Sequence, residues 1–147
     1  MSAPIFFSLQ GARRRVIYVT LYEGIAIAVV TLAFWLLTGQ GAGRSGALAA
    51  SCSAIAVLWN LVFNALFERW EARQSVRGRS RARRVAHALG FEGGLALLLV
   101  PFMAWWLQVS WWHALALDLG LLLFFLAYTY VFTWAFDRLF GLPAAAA

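Results

Sequence analysis

Four long apolar stretches, at residues 16–37, 46–67, 85–107 and 113–136, run along the chain between short polar segments. Each holds about 20 residues, the length a helix needs to cross a bilayer core about 30 Å thick. The pattern predicts an all-α membrane protein of four transmembrane helices. Residues 38–45 (TGQGAGRS) read as a glycine-rich turn, 68–84 as a charged loop, and 108–112 (QVSWW) as a tight interfacial turn. The tail, 141–147, is too short and simple to fold alone.

The polar positions inside these stretches repeat. Shifted by 69 residues, the chain matches itself without a gap. Arg14 and Arg15 fall on Arg83 and Arg84, and Tyr18 falls on His87. Tyr22, Glu23 and Gly24 fall on Phe91, Glu92 and Gly93. Trp59, Asn60, Phe63, Asn64, Phe67 and Glu68 fall on Tyr128, Thr129, Phe132, Thr133, Phe136 and Asp137. The chain therefore reads as two copies of a two-helix hairpin: 1–72, a basic loop at 73–84, then 85–140. Two spans return each copy to its starting side, so the hairpins are parallel. Their pseudo-two-fold axis is expected along the membrane normal.

Composition agrees with the pattern. The chain is 63% hydrophobic and 12% charged, against about 45–50% and about 25% in soluble domains. All twelve cationic side chains are arginine, and eleven of them fall before the first span, between the second and third, or after the fourth. Only Arg44 lies on the other side. This bias predicts that both termini and the middle loop are cytoplasmic, and it argues against dual topology. Net charge of +6 would suggest nucleic acid on a soluble chain. Beside membrane spans it reads as topology, with no nucleic-acid partner. The basic loop could touch anionic lipid heads, but the topological reading suffices. The first span is too long for a cleaved signal peptide, whose apolar core is about 7–15 residues. Cys52 reads as a small packing residue.

An ionisable side chain inside a span marks a functional site by default. Glu23 and Glu92 occupy equivalent places in the two copies, and Asp118 has no acidic counterpart, since Ala49 stands there. Asn60, Asn64 and Glu68 lie at i, i+4, i+8 and form one polar stripe, which Thr129, Thr133 and Asp137 repeat. Such a stripe must face protein or water. Glu23 is eight residues past Arg15, and Asn60 eight before Glu68, so both lie about 12 Å from the same edge. Asn60 is therefore expected to meet Glu23, and Thr129 to meet Glu92. Gly24, Gly93 and Gly94 are expected to let helices approach closely.

Each assignment has a plainer rival. A buried carboxyl can simply link two helices, but such bonds contribute only about 0.6 kcal/mol on average in membranes. Asn60 and Asn64 read as helix glue before they read as ligands. Tyr22 and Trp59 can stack on an aromatic cation or merely pack. Asp118, about 28 Å from the level of Asp137, reads as a relay, a gate or an interfacial residue. Glu68, Glu71 and Asp137 suit ion pairs and caps, His87 a packing role, and His113 an interfacial anchor beside Trp111 and Trp112. Pro101 is expected to kink the third helix.

No metal-ligand cluster, nucleophile–base arrangement or phosphate loop is present in the sequence, so an enzyme, a metal and a cofactor are not expected. The residues resemble the proteobacterial antimicrobial compound efflux family, whose members carry two tandem bacterial transmembrane pair domains. Its R-x-x-H-A-x-x-F-E motif stands intact as Arg84, His87, Ala88, Phe91 and Glu92. The first copy reads Arg15, Tyr18, Val19, Tyr22 and Glu23. Its W-N-x-x-F-N-x-x-F-[DE] motif is intact from Trp59 to Glu68, whereas the second copy has Thr129 and Thr133 at the Asn positions. The resemblance implies proton-coupled export of cationic biocides such as chlorhexidine, or of short diamines, with Glu23 as the proton and substrate residue.

The sequence thus predicts an inner-membrane antiporter. Glu23, Asn60, Glu92 and Asp118 are its proton and substrate residues, and Tyr22, Trp59 and Asn64 line the substrate. Its partners are cationic small molecules, protons and membrane lipid. Four helices barely enclose a drug-sized path, so a parallel homodimer is expected. The rivals are a membrane adaptor whose carboxylates bind a partner helix, and a small channel.

Overall fold

The computed structural model describes residues 9–74 and 80–141. Arg77, Arg79 and the tail beyond Gly141 lie outside the described residues. Four helices follow in order: α1 (Gly11–Thr38), α2 (Ala42–Ala72), α3 (Arg81–Leu107) and α4 (Trp111–Phe140). No described residue is in a strand. Each helix outruns its apolar window by four or five residues at the arginine-rich end. Arginine is a good helix former, and its long stem carries the charge into the headgroup region while the backbone stays helical. The predicted 38–45 turn accordingly shrinks to three residues, and the 108–112 turn likewise.

The helix ends are closed locally. Gly39 takes a left-handed φ of 67°, which glycine adopts without a Cβ clash, and its N–H bonds the Trp35 carbonyl at 3.1 Å. Ser80 and Ser110 cap α3 and α4, accepting from the N–H groups of Arg83 and His113 at 3.3 and 3.2 Å. At the same end of the bundle as the two short turns, Arg44 donates to the carbonyl of Trp106 at 2.9 Å. Helix α3 continues through Pro101 to Leu107.

Two kinds of surface result. At the short-turn end, Val30, Phe34, Leu48, Cys52, Leu99, Met103, Leu107 and Ala114 make one buried cluster. Outside, large apolar side chains point away from the bundle; Leu36, Leu97 and Leu126 are each more than 70% exposed. A surface this apolar needs lipid as its solvent. At 27 to 31 residues, the helices are long enough to cross a hydrocarbon core with a turn to spare at each end.

The close backbone neighbours are α1 with α2, α3 with α4, and α2 with α3. The first two are the hairpins. The third joins one copy to the other, and α1 meets α4 chiefly through side chains.

Candidate functional site

The two sequence motifs meet across copies. The His87 Nε2 and Asn64 Oδ1 atoms are 2.9 Å apart, linking α3 to α2. Applying the 69-residue shift to both partners gives Tyr18 and Thr133, whose hydroxyls are 2.7 Å apart between α1 and α4. Trp59 Nε1 donates to the Phe91 carbonyl at 2.9 Å. Its shifted counterpart is Tyr128, whose hydroxyl donates to the Tyr22 carbonyl at 2.8 Å. The polar stripe on each second helix therefore faces the first helix of the opposite copy. The pairing partly buries Asn64 and Thr133 and gives Thr129 a hydroxyl partner, while Asn60 opens to the cavity.

That arrangement corrects two expectations. Glu23 meets Ser53, whose hydroxyl donates to Oε2 at 2.6 Å, rather than Asn60. Asn60 instead accepts from the Asn64 side chain, through both its backbone and side-chain oxygens. Thr129 pairs with Tyr22 at 2.7 Å rather than with Glu92. Both helices run four residues past the markers that set the depth, α1 from Arg15 back to Gly11 and α2 from Glu68 on to Ala72, so the overhangs cancel. Ser53 lies two turns from Asn60 on the same face of α2, both line the cavity with Glu23, and it is Ser53 that makes the bond. Gly24 and Gly93 face open space and mediate no approach. Gly94 and Gly90 do: an added Cβ would lie 2.1 Å from the Trp59 ring and 3.1 Å from the Phe63 ring.

The carboxylates gather around a cavity of about 380 Å³ among all four helices. Tyr22 and Glu23 line it from α1, Ser53 and Asn60 from α2, Phe91 and Glu92 from α3, and Asp118 and Phe125 from α4. Glu23 and Glu92 are related by the 69-residue shift, as are Tyr22 and Phe91, so the cavity straddles the pseudo-two-fold axis. Its two halves differ in where their polar groups stand. The first copy has Ser53 and Ala49 where the second has Leu122 and Asp118, and all four line the cavity. The polar group beside the glutamate is thus a hydroxyl in one half and an acid one turn away in the other. Asp118 is half-buried and lines the same cavity as Glu92. Among the described residues, no three acidic, His or Cys side chains converge tightly enough to hold a metal ion. The acids are spread around a space, not focused on a point.

Two of the predicted lining residues are not on the wall. Trp59 packs its ring on Gly94, and Asn64 is engaged by His87. Ser53 was missed from the sequence. The signal was present: Ala49, Ser53, Ala56 and Asn60 recur at helical spacing as a small and polar face of an otherwise bulky span. His113 is exposed at the first turn of α4, next to the exposed Trp111 and Trp112.

A small bundle with carboxylates on an internal cavity and a lipid-facing exterior has the build of a membrane transporter. A family model described as "Chlorhexidine efflux transporter" matches residues 10–73 and again 79–142, and the chain belongs to that family, one of transporters rather than enzymes. The chain is 36% identical over 124 residues to a "Short-chain diamines transporter" of Vibrio parahaemolyticus, covering 84% of this chain and 88% of the relative. It is 34% identical over 128 residues to proteins of the same name from Acinetobacter baylyi and Acinetobacter baumannii. These matches span 87% of this chain, with 90% and 88% of the relatives covered. No solved structure matches the chain.

Proposed function

We propose that the protein exchanges protons for cationic amphiphiles or short diamines across the bacterial inner membrane, with both termini and the 73–84 loop cytoplasmic. The observation that carries this reading is the shared cavity: two symmetry-related glutamates and Asp118 on one wall system inside an apolar bundle. A carboxyl among apolar groups favours its neutral form, and a nearby cation favours the charged form. A proton and a cation therefore compete for the same oxygens. That competition, with access alternating between the two faces, is sufficient for antiport.

The acids are distributed, which suits a cation whose charges are also separated. A short diamine places one ammonium at Glu23, where Ser53 orients the carboxylate, and the other toward Glu92 and Asp118. The cavity volume falls at the small end of the range for ligand pockets, about 300–1,000 Å³. It is sized for such a molecule without enlargement. Two copies in parallel would enclose a wider path than one bundle does.

The test is purified protein in vesicles with an imposed pH gradient. Adding a short diamine is expected to drive proton release from wild type, with Glu23→Gln reduced to background and Glu92→Gln reduced in part. Undiminished exchange by Glu23→Gln contradicts the scheme. Tight diamine binding with no counterflow of protons favours the adaptor reading.

A further inference from the structure

The two seams that join the hairpins are equivalent in sequence position but differ in build. On the α2–α3 seam, Gly90 and Gly94 bring the backbones together, and the Phe63 and Trp59 rings fill the glycine notches. On the α1–α4 seam, the residues at the shifted positions are Leu21 and Ile25, 41% and 45% exposed. No glycine notch is present there, and α1 and α4 are not close backbone neighbours as α2 and α3 are.

What bridges the α1–α4 gap is a ladder of long side chains. Tyr18 reaches Thr133, Tyr22 reaches Thr129, and Tyr128 reaches the Tyr22 carbonyl. Between these rungs, Phe132 sits edge-on to both Tyr18 and Tyr22, with ring centres 5.2 and 5.3 Å away. At the arginine-rich end the seam is clasped. Arg14 pairs with Asp137 and donates to the Gly141 carbonyl, and the Leu9 N–H bonds the Phe140 carbonyl. At the other end lies the buried cluster. The tyrosine ladder is the stretch between two fixed ends, and Tyr22 and Phe125 carry it to the cavity wall.

We propose that the cation passes into and out of the cavity through the α1–α4 seam, whose tyrosine–threonine rungs part while the glycine-packed α2–α3 seam stays closed as a spine. Single hydroxyl pairs in membranes contribute little, and the rings between the rungs meet edge-on or tilted rather than seated in backbone notches. Parting the other seam would empty two packed ring notches. The aromatic faces released by opening attract a passing cation. The proposal rests on the transport function proposed above and adds a route to it.

The test uses full-length protein with Cys52→Ala as parent, in vesicles, with a short diamine as the probe. Tyr18→Cys/Thr133→Cys and Phe63→Cys/Gly90→Cys are each bridged by a short bis-methanethiosulfonate that dithiothreitol releases. Bridging the first pair is expected to lower diamine–proton exchange at least tenfold, with recovery on reduction. Bridging the second is expected to leave it within about twofold. Exchange that survives the first bridge, or is stopped equally by the second, overturns the portal. A parent that shows no exchange at all counts against the transport function itself. Tyr18→Phe/Thr133→Val keeps the shapes and deletes one rung. Diamine association is expected to quicken at least twofold, and an unchanged rate argues against the ladder as a gate.

Discussion

Replacing Gly94 by alanine puts one methyl group where the Trp59 ring already is. The new Cβ would lie 2.1 Å from Cζ2 and 2.8 Å from both Cε2 and Cη2. An indole is rigid, and this one is tethered, since its Nε1 donates to the Phe91 carbonyl at 2.9 Å. The ring must therefore swing out and lose that bond, or the two helices must separate. Overpacking of this kind costs about 1–3 kcal/mol. The lost hydrogen bond adds about 0.6 kcal/mol on average and up to about 1.7 in membranes. The expected destabilisation is about 2–4 kcal/mol. Gly93→Ala is the internal control, because an added Cβ there meets nothing within 4 Å. It is expected to fall within about 1 kcal/mol of wild type, with helix propensity in its favour. The sole cysteine supplies the assay, since Cys52 is only 6% exposed, where the buried cluster meets the cavity wall, and its labelling rate in the absence of denaturant sets the baseline. Maleimide labelling of Cys52 across a titration of denaturing detergent reports the opening free energy of the bundle. Combining Gly94→Ala with Trp59→Leu should recover at least about 1.5 kcal/mol in a double-mutant cycle, as expected for residues in direct contact. If Gly94→Ala is indistinguishable from Gly93→Ala, the account of the α2–α3 seam is wrong.

Other outcomes follow from the same contacts. Ser53→Ala removes the only described hydrogen-bond donor to Glu23, and diamine affinity measured by calorimetry in detergent should fall about 3–10-fold, the effect of one such bond. Arg14 and Asp137 pair with side chains only 12% and 25% exposed. Arg14→Gln should destabilise the bundle by about 1–3 kcal/mol in the labelling assay, and Arg14→Met/Asp137→Leu should recover most of it, as apolar replacement of both partners does elsewhere. The double replacement Tyr18→His/Thr133→Asn writes the His87–Asn64 pair into the other seam. If the seams are related by the 69-residue shift, it should fold within about 1 kcal/mol of wild type, while Thr133→Asn alone should be worse.

Much of the molecule was legible from its residues. The four spans are a property of composition, because in hydrocarbon each helix must satisfy its own backbone. That requirement acts on every segment separately, whatever its neighbours do. The repeat, the arginine asymmetry and the pairing of Glu23 with Glu92 likewise need only the order of residues. Trp59 shows where this stops. Its motif is intact, yet nothing in the motif says whether the indole lines a cavity or fills the notch over Gly94.

What tertiary structure alone decided is rotation and register. Ser53 and Asn60 share one face of α2, and only the placed helices show that Ser53 is the one bonded to Glu23. Whether Asp118 reaches the cavity depends on which side of α4 turns inward. Leu21 and Ile25 against Gly90 and Gly94 look like ordinary drift between two copies. Only when the helices are placed side by side do those four positions become one seam bridged by long side chains and one seam of close backbones. The physical reason is that span formation is a contest between each segment and its solvent, whereas facing is a contest among surfaces that lie far apart along the chain.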